Sequence, residues 1–366
     1  MVKQKVVFQK ERSSFEKDLL KKVGAYFKQG GITRKANGAF YLKGGLLLAL
    51  SLGAYAALYL VPPTFIWISL SYILLGFFSV VTVFNLGHDA MHGAVSRNSR
   101  VNQLLGYTWN LVGMSSYIWK LRHNLAHHSF TNVPGTDHDV AQSALVRLDP
   151  SSPVKPLHRY QHFYLPFLFT LLTINLVFIK DFQMLREKRF GNKVVEHSRS
   201  QVLRIVLLKV FYLTYALILP LIFIDAAWWI ILLGFLFKHA VAGIFASAVL
   251  VPAHFNPESH FPLPDRQGVI HSSWFAHQFE VTVDFSANTP LVSWLTGGLN
   301  YHIAHHLFPN VCHIHYGPLT RIIRQTAKEH HKTYINKSWG KLIYDCLVFA
   351  KDLGQHKESA KYLNVG

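Results

Sequence analysis

Apolar residues in this chain come in long, uninterrupted blocks. Four stretches, 44–61, 65–85, 203–224 and 227–250, approach the ~20 residues that an α-helix needs to cross a bilayer. Val61-Pro62-Pro63-Thr64 separates the first two and Ile224-Asp225-Ala226-Ala227 the last two, so the pattern predicts two helical hairpins. A fifth apolar stretch, 161–179, opens with Gln161 and His162 and contains Pro166, which weakens it as a span. Counting it as a crossing would also put the basic segment 180–204 opposite the basic N-terminus. It is therefore read as a re-entrant or interfacial helix, and 104–119 is read the same way. Near the N-terminus, Phe15, Leu19, Val23, Tyr26 and Phe27 recur at helical spacing among lysines, after a Ser13-Ser14-Phe15-Glu16 start that resembles a capping box. Such a helix suits anionic lipid or the surface of a cytosolic domain equally well. Two further helices are expected near 318–332 and 338–353. The fold class is an all-α integral membrane protein: four transmembrane helices in two hairpins, interfacial helices, and a cytosolic helical cap.

Composition strengthens this reading. Hydrophobic residues make up 50% and charged residues 15% of the 366 positions, against roughly 25% charged in soluble domains. The net charge of +18 raises the question of nucleic acid, and its distribution answers it. Residues 1–43 hold eleven Lys/Arg against three Asp/Glu, 180–204 hold seven Lys/Arg, and the two hairpin turns hold none. Under the positive-inside rule both basic stretches face the cytoplasm, so the charge is a topology signal and no nucleic-acid partner is expected. Residues 1–43 then form a cytosolic segment, 86–202 and 251–366 are cytosolic or interfacial, and both termini are cytoplasmic. No secretory signal and no low-complexity linker are found, so 1–366 is read as one domain. Cys312 and Cys346 form no CxxC pair, and Cys312 is read as a small buried filler.

The chemistry concentrates in histidines. His88-Asp-Ala-Met-His92, His123-Asn-Leu-Ala-His127-His128 and His302-Ile-Ala-His305-His306 gather eight of the 22 imidazoles into three tight groups. The four-crossing topology puts all three groups at the cytoplasmic face. His88 and His92 share one helix face, as do His123 and His127, and His302 and His305, while His128 and His306 are offset. One such pair alone is often just a polar helix face. Three together suit a polynuclear centre of a redox-capable metal, for which imidazole is the commonest protein ligand. An adjacent His-His pair cannot aim both rings along one line, but it can serve two neighbouring ions. A structural zinc would need only four ligands, and no HExxH is present. Asp89, Asp137, Asp139 and Asp284 are candidates to orient imidazoles from behind rather than to bind metal, with plain solvated aspartate nearly as reasonable for each.

These boxes, in this order and with the intervening hairpin, resemble the membrane fatty acid desaturase family over about residues 35–330. The last box in its setting, Gly297-Gly-Leu-Asn-Tyr-His-Ile-Ala-His-His-Leu-Phe-Pro309, looks like the stand-alone bacterial acyl desaturases related to front-end (linoleoyl-CoA desaturase-like) enzymes. The resemblance implies a di-iron centre, with O2 as co-substrate and two electrons, that inserts a cis double bond into an acyl chain. It makes His88, His92, His123, His127, His128, His302, His305 and His306 the catalytic iron ligands. Family members carry a ninth histidine after the last span, and His254 occupies that place; His277 is expected near the site without touching metal. Leu250 stands where the acyl-CoA delta-9 branch has asparagine, and His302 where eukaryotic front-end members have glutamine, so the double-bond position stays open. The substrate class is acyl-CoA or acyl-lipid, and a bacterial inner membrane is the implied location. No His-Pro-Gly-Gly haem motif or GxGxxG is found, so electrons are expected from a separate ferredoxin or cytochrome b5-like donor.

Removing hydrogen from an unactivated methylene also requires a narrow apolar tunnel that presents the chain and excludes water. Trp109, Tyr117, Trp119, Phe275 and Trp294 are candidate lining residues. Arg97, Arg100, Lys120 and Arg122 could meet a phosphate headgroup, or simply express the positive-inside bias. Lys238 and His239 lie deep in the fourth span, where ionisable groups are costly, and either face the tunnel or bond between helices. Rival readings are a lipid hydroxylase on the same scaffold and, from a different class, a membrane metal transporter. A transporter should carry its ligands at mid-span, whereas these lie beyond the spans.

Overall fold

The computed structural model describes residues 5–140, 145–355 and 362–363; the extreme termini, expected in the cytoplasm, lie outside the described residues. Among these, four helices are long and apolar enough to cross a membrane: Gly38–Leu60, Phe65–Met91, Arg199–Phe223 and Trp228–Leu250. The second long helix packs between the first and the fourth. Ile68, Tyr72, Tyr212, Ile231 and Phe235 are buried in the core between the helices. Leu42, Leu52, Leu60, Ile66, Leu207, Ile222, Phe223 and Trp228 point outward and are exposed. So large an apolar belt is stable only against lipid. The second helix runs past its predicted end at 85, so His88 rides on the same element.

The stretch expected to be re-entrant or interfacial is a bent pair, Pro156–Thr170 and Leu172–Met184, meeting at 70°; counted as one span, it would make a fifth crossing. Residues 104–119 break into short helices, including Thr108–Leu111 and Ser116–Lys120. The N-terminal helix Ser14–Gln29 resolves its two alternatives in favour of protein. Phe15, Leu19, Val23 and Phe27 are buried against Phe275, Phe279, Ile303, Leu319 and Ile323. At about 1.5–3 kcal/mol for each large apolar side chain, this face is committed to packing. Only half of the expected capping box forms: Ser13 accepts from Glu16 N, while the Glu16 carboxylate accepts from Ser273. The two late helices are Tyr316–Glu329 and Trp339–Gly354.

The all-α expectation needs one amendment. Val7–Gln9 pairs in parallel with Val269–Ser273, Asp284–Phe285 with Asn336–Lys337, and Arg189–Phe190 pairs antiparallel with Lys193–Val194. Ladders this short carry no alternating pattern that a sequence could reveal. One of them matters: the pairing of Asp284 with Asn336 fixes Asp284 beneath the third histidine box.

Candidate metal centre

Two of the three boxes are delivered by elements that depart from regular α-helix. In the second long helix a π-helical turn, Val83–Gly87, immediately precedes His88. A second π-helical stretch, Leu121–His127, carries the second box, and His128 N donates to His123 O at 2.9 Å. Such wide turns re-aim side chains and recur at functional sites. His123 and His127 lie side by side as expected, their rings 5.2 Å apart, and the turn also brings the offset His128 to His123, with Nε2 atoms 3.0 Å apart. The third box lies on the short helix His302–Leu307. Gly297 (φ 62°) and Gly298 (φ 74°) lead into it, and a Cβ on Gly297 would sit 2.5 Å from the Phe84 carbonyl. Left-handed backbone and close approach both demand glycine, and together they seat the third box on the π-turn beside the first. The Asp284 carboxylate accepts from Ile303 N (2.7 Å) and Tyr334 Oη (2.6 Å), capping a helix start that has no N-cap side-chain bond. Burial nonetheless pushes its carboxyl up to about 7.

These elements bring all eight box histidines and His254 together. One ligand atom from each of His88, His92, His123 and His305 lies within 4.8 Å of the others, and the same holds for His127, His254 and His306. His128 stands beside His123 and also groups with His305 and His306. His302 Nε2 lies 2.7 Å from His254 Nε2. The nine rings therefore fall into two neighbouring sets, His88, His92, His123, His128 and His305 against His127, His254, His302 and His306. The adjacent pairs straddle the division: His305 turns to one set and His306 to the other. His92 is the only one of the nine that is not fully buried.

The outer nitrogens of several rings are bonded, whereas a set of inner ones is not. His127 Nδ1 bonds Asp137 (2.9 Å), His306 Nδ1 bonds Gln278 Oε1 (2.9 Å), His302 Nδ1 bonds Leu299 O (3.0 Å) and His254 Nδ1 faces Val281 O (3.4 Å). Each of these partners accepts, so each Nδ1 carries the proton and each Nε2 keeps its lone pair. The Nε2 atoms of His88, His92, His305 and His306 are buried without any partner. Between His302 and His254 two lone pairs face one another at 2.7 Å, an arrangement that repels unless a cation lies between them. Burial lowers the pKa of His92 and His302 to about 3, and that of His123, His128, His254, His305 and His306 well below the ordinary value. Neutral imidazole is the form that ligates metal. For His127 burial pushes down, but the Asp137 carboxylate overrides it and the pKa rises. Orphaned inward nitrogens, proton-fixing outer partners and an all-imidazole donor set fit a pair of transition-metal ions.

The other candidates separate cleanly. Asp137 backs His127, and Asp139 lies 3.8 Å from His127 Nδ1 and 3.3 Å from Arg122. Asp89 reaches no box imidazole; its carboxylate accepts from both His313 N and Nδ1 at 2.9 Å, tying the first box to the segment after the third. Cys312 is fully buried beside this pair. His277 bonds Thr131 O at 2.7 Å and belongs to neither set. Sequence reasoning missed Gln278, which accepts from His306 Nδ1 and donates to His128 O, and Tyr316, whose Oη lies 3.3 Å from His305 Nδ1. The only signal for Gln278 was its place next to His277.

A cavity of about 160 Å³ lies directly against the centre, lined by His88, His123, His127, His254 and His302 together with Phe84, Trp109, Trp119, Leu172, Leu176 and Leu250. Trp119 lies 4.2 Å from the His123 ring and stacks on Trp109 at 4.6 Å. A second cavity of about 50 Å³ shares Phe84, Trp109, Trp119, Leu172, Leu176 and Leu250 with the first and runs on to Lys238 and His239. Three expected lining residues are elsewhere. Tyr117 bonds His197, Phe275 packs under the N-terminal helix, and Trp294 lies under Lys43 at the surface. Of the four headgroup candidates, Arg122 alone lines the cavity at the centre, while Lys120 lines a separate polar groove and Arg97 and Arg100 are exposed.

Four helices apolar enough to cross a membrane, with a buried histidine centre set against an apolar cavity, make the arrangement expected of an enzyme that acts on lipid. Residues 63–338 match the family described as fatty acid desaturase, and the chain belongs to that family. It is 32% identical over 327 residues to an sn-1 linoleoyl-lipid 6-desaturase of Synechocystis sp., covering 87% of this chain and 89% of that protein. It is 33% identical over 333 residues to the protein of the same name from Arthrospira platensis, covering 90% and 89%. An acyl-lipid (8-3)-desaturase of Physcomitrium patens is 30% identical over 334 residues, covering 89% of this chain and 68% of that protein.

Proposed function

We propose that this chain is an O2-dependent desaturase that inserts a cis double bond into a lipid-linked acyl chain at a di-iron centre. The observation that carries the proposal is the set of inward Nε2 atoms left without partners, above all His302 facing His254 at 2.7 Å. His88, His92, His123, His128 and His305 would hold one iron, and His127, His254, His302 and His306 the other. Two irons there would supply, with O2 and two electrons, the oxidising power that an unactivated C–H bond demands. The chain's own residues do the rest. Asp137, Gln278 and the Leu299 carbonyl fix imidazole tautomers and ring directions. Trp109, Trp119, Phe84 and Leu250 hold an extended apolar chain against the centre and keep water out. Three relatives are named for acyl-lipid substrates, which favours lipid-linked over CoA-linked chains.

The same reading puts the histidine centre and both termini on the cytoplasmic side of a bacterial inner membrane, with the long helices as two hairpins and the bent pair re-entrant. The basic segments 1–43 and 180–204 support it. Electrons come from a separate ferredoxin or cytochrome b5-like protein. Expression in a host that lacks polyunsaturated lipids, followed by mass spectrometry of fatty-acid methyl esters, tests the reaction. A new double bond is expected; hydroxylated products alone would overturn the desaturase assignment.

A further inference from the structure

The apolar channel that leaves the histidine centre does not end on an apolar wall. At its deep end Lys238 and His239 line it, beside Gly76 of the second long helix. Lys238 Nζ donates to Tyr212 Oη at 2.7 Å, and Tyr212 Oη lies 2.7 Å from His239 Nε2. Thr173 Oγ donates to His239 O (2.9 Å) and lies 3.0 Å from His239 Nδ1. With the threonine proton committed, Nδ1–H must donate to Thr173, so Nε2 accepts the Tyr212 proton. Tyr212, His239 and Thr173 are then saturated. Lys238 is not: among the described residues its amine makes one hydrogen bond, to Tyr212, and otherwise meets only the faces of Tyr212 (4.4 Å) and Phe235 (5.9 Å). Here the two helices also meet, since a Cβ on Gly76 would lie 2.3 Å from the Lys238 carbonyl. The channel can go no further along this line.

We propose that Lys238 is the specificity-determining residue that sets the longest acyl chain the enzyme accepts. It does so by polarity rather than by bulk. The cavity that Lys238 lines measures about 50 Å³, enough to admit water to an amine with a single hydrogen bond. A methyl terminus pushed to this depth would close the amine off from water and leave it with the Tyr212 bond alone, which is unfavourable. Chains that stop short leave it undisturbed.

The helices supply the ruler. Gly76 marks the deep end and His88 the centre on the second long helix; Lys238 and Leu250 do so on the fourth. Both pairs are twelve residues apart, which is about 18 Å at 1.5 Å per residue. An extended chain covers about 1.2 Å per bond, so the channel takes roughly 15 carbon–carbon bonds beyond the reacting carbon. Ala242 also lines it, one turn above Lys238, and marks a position about 6 Å nearer the centre.

This inference rests on an acyl chain occupying the channel, and a chain-length series tests it. Cells making the full-length enzyme are fed acids of sixteen to twenty-two carbons, and oxidised products of any kind are measured. The quantity read is the ratio of long-chain to eighteen-carbon product within each variant. Lys238→Met, similar in length but apolar, should raise that ratio about ten-fold. Lys238→Arg, longer and still polar, should lower it. Ala242→Leu should shift the profile to shorter chains whether or not Lys238 variants fold. Unchanged ratios in active Lys238→Met, or an unchanged profile in Ala242→Leu, would overturn the proposal. A hydroxylated product series with the shifted cut-off would sustain it while sinking the desaturase reading.

Discussion

Two groups of buried polar side chains lie at opposite ends of one channel, and they solve the problem of burial differently. At the membrane end, Lys238, Tyr212, His239 and Thr173 pass hydrogen bonds from one to the next until a backbone carbonyl closes the chain. At the histidine end, five of the nine imidazoles are bonded through Nδ1, while the Nε2 atoms of His88, His92, His305 and His306 and the Nδ1 of His128 have no partner among the described residues. Burial and residue type are alike in the two places. Saturation is not. Because a buried polar atom without a partner costs roughly 1–3 kcal/mol, several in one place mark a site shaped for a ligand, whereas a group saturated in all but the Lys238 amine marks a boundary.

That contrast can be broken in order of expected effect. His302→Ala removes one of the two facing nitrogens and should lower turnover by at least ~10³-fold with loss of bound iron, since it deletes a ligand outright. Retained activity and iron would place His302 outside the set. Asp137→Asn leaves every ligand in place but removes the carboxylate behind His127, and should cost about 10–100-fold in activity or metal affinity. At the saturated end, Tyr212→Phe strands His239 and Lys238 and should destabilise the protein by about 1–3 kcal/mol, read as a lower Tm in detergent, with iron content untouched. The smallest effect is expected from His277→Ala, about 1 kcal/mol of stability and unchanged iron. Iron loss there, with His254→Ala keeping its iron, would exchange their assignments.

Much of this was legible in the sequence because it depends on composition and spacing. Apolar blocks of sufficient length pointed to the four long helices, though the first starts at Gly38 rather than 44 and the second extends to Met91 rather than 85. The three boxes pointed to eight of the nine rings, and His254 was singled out only by the resemblance to the desaturase family. Backbone irregularity was not legible. Regular helical spacing put His123 beside His127, as the structure does, but not the approach of His128 to His123 that the π-helical turn produces. Partners that reach across the fold were equally hidden: Gln278 behind His306, and His313 taking Asp89 away from the imidazoles. Tyr117, Phe275 and Trp294 show the limit of reading aromatics near a box as lining, since each is spent on packing or an outer hydrogen bond. Lys238 and His239 were recognised as costly, but only the cavities show that they are where the channel stops.

The central claim is that the nine histidines form two cation sites rather than a hydrogen-bonded cluster. Metal analysis of the purified full-length protein, grown with iron and exchanged into metal-free detergent buffer, tests it most directly. Two irons per chain are expected, falling in the His254→Ala and His302→Ala variants. One zinc per chain that persists under iron supplementation, or a well-folded protein that retains no metal, would contradict it.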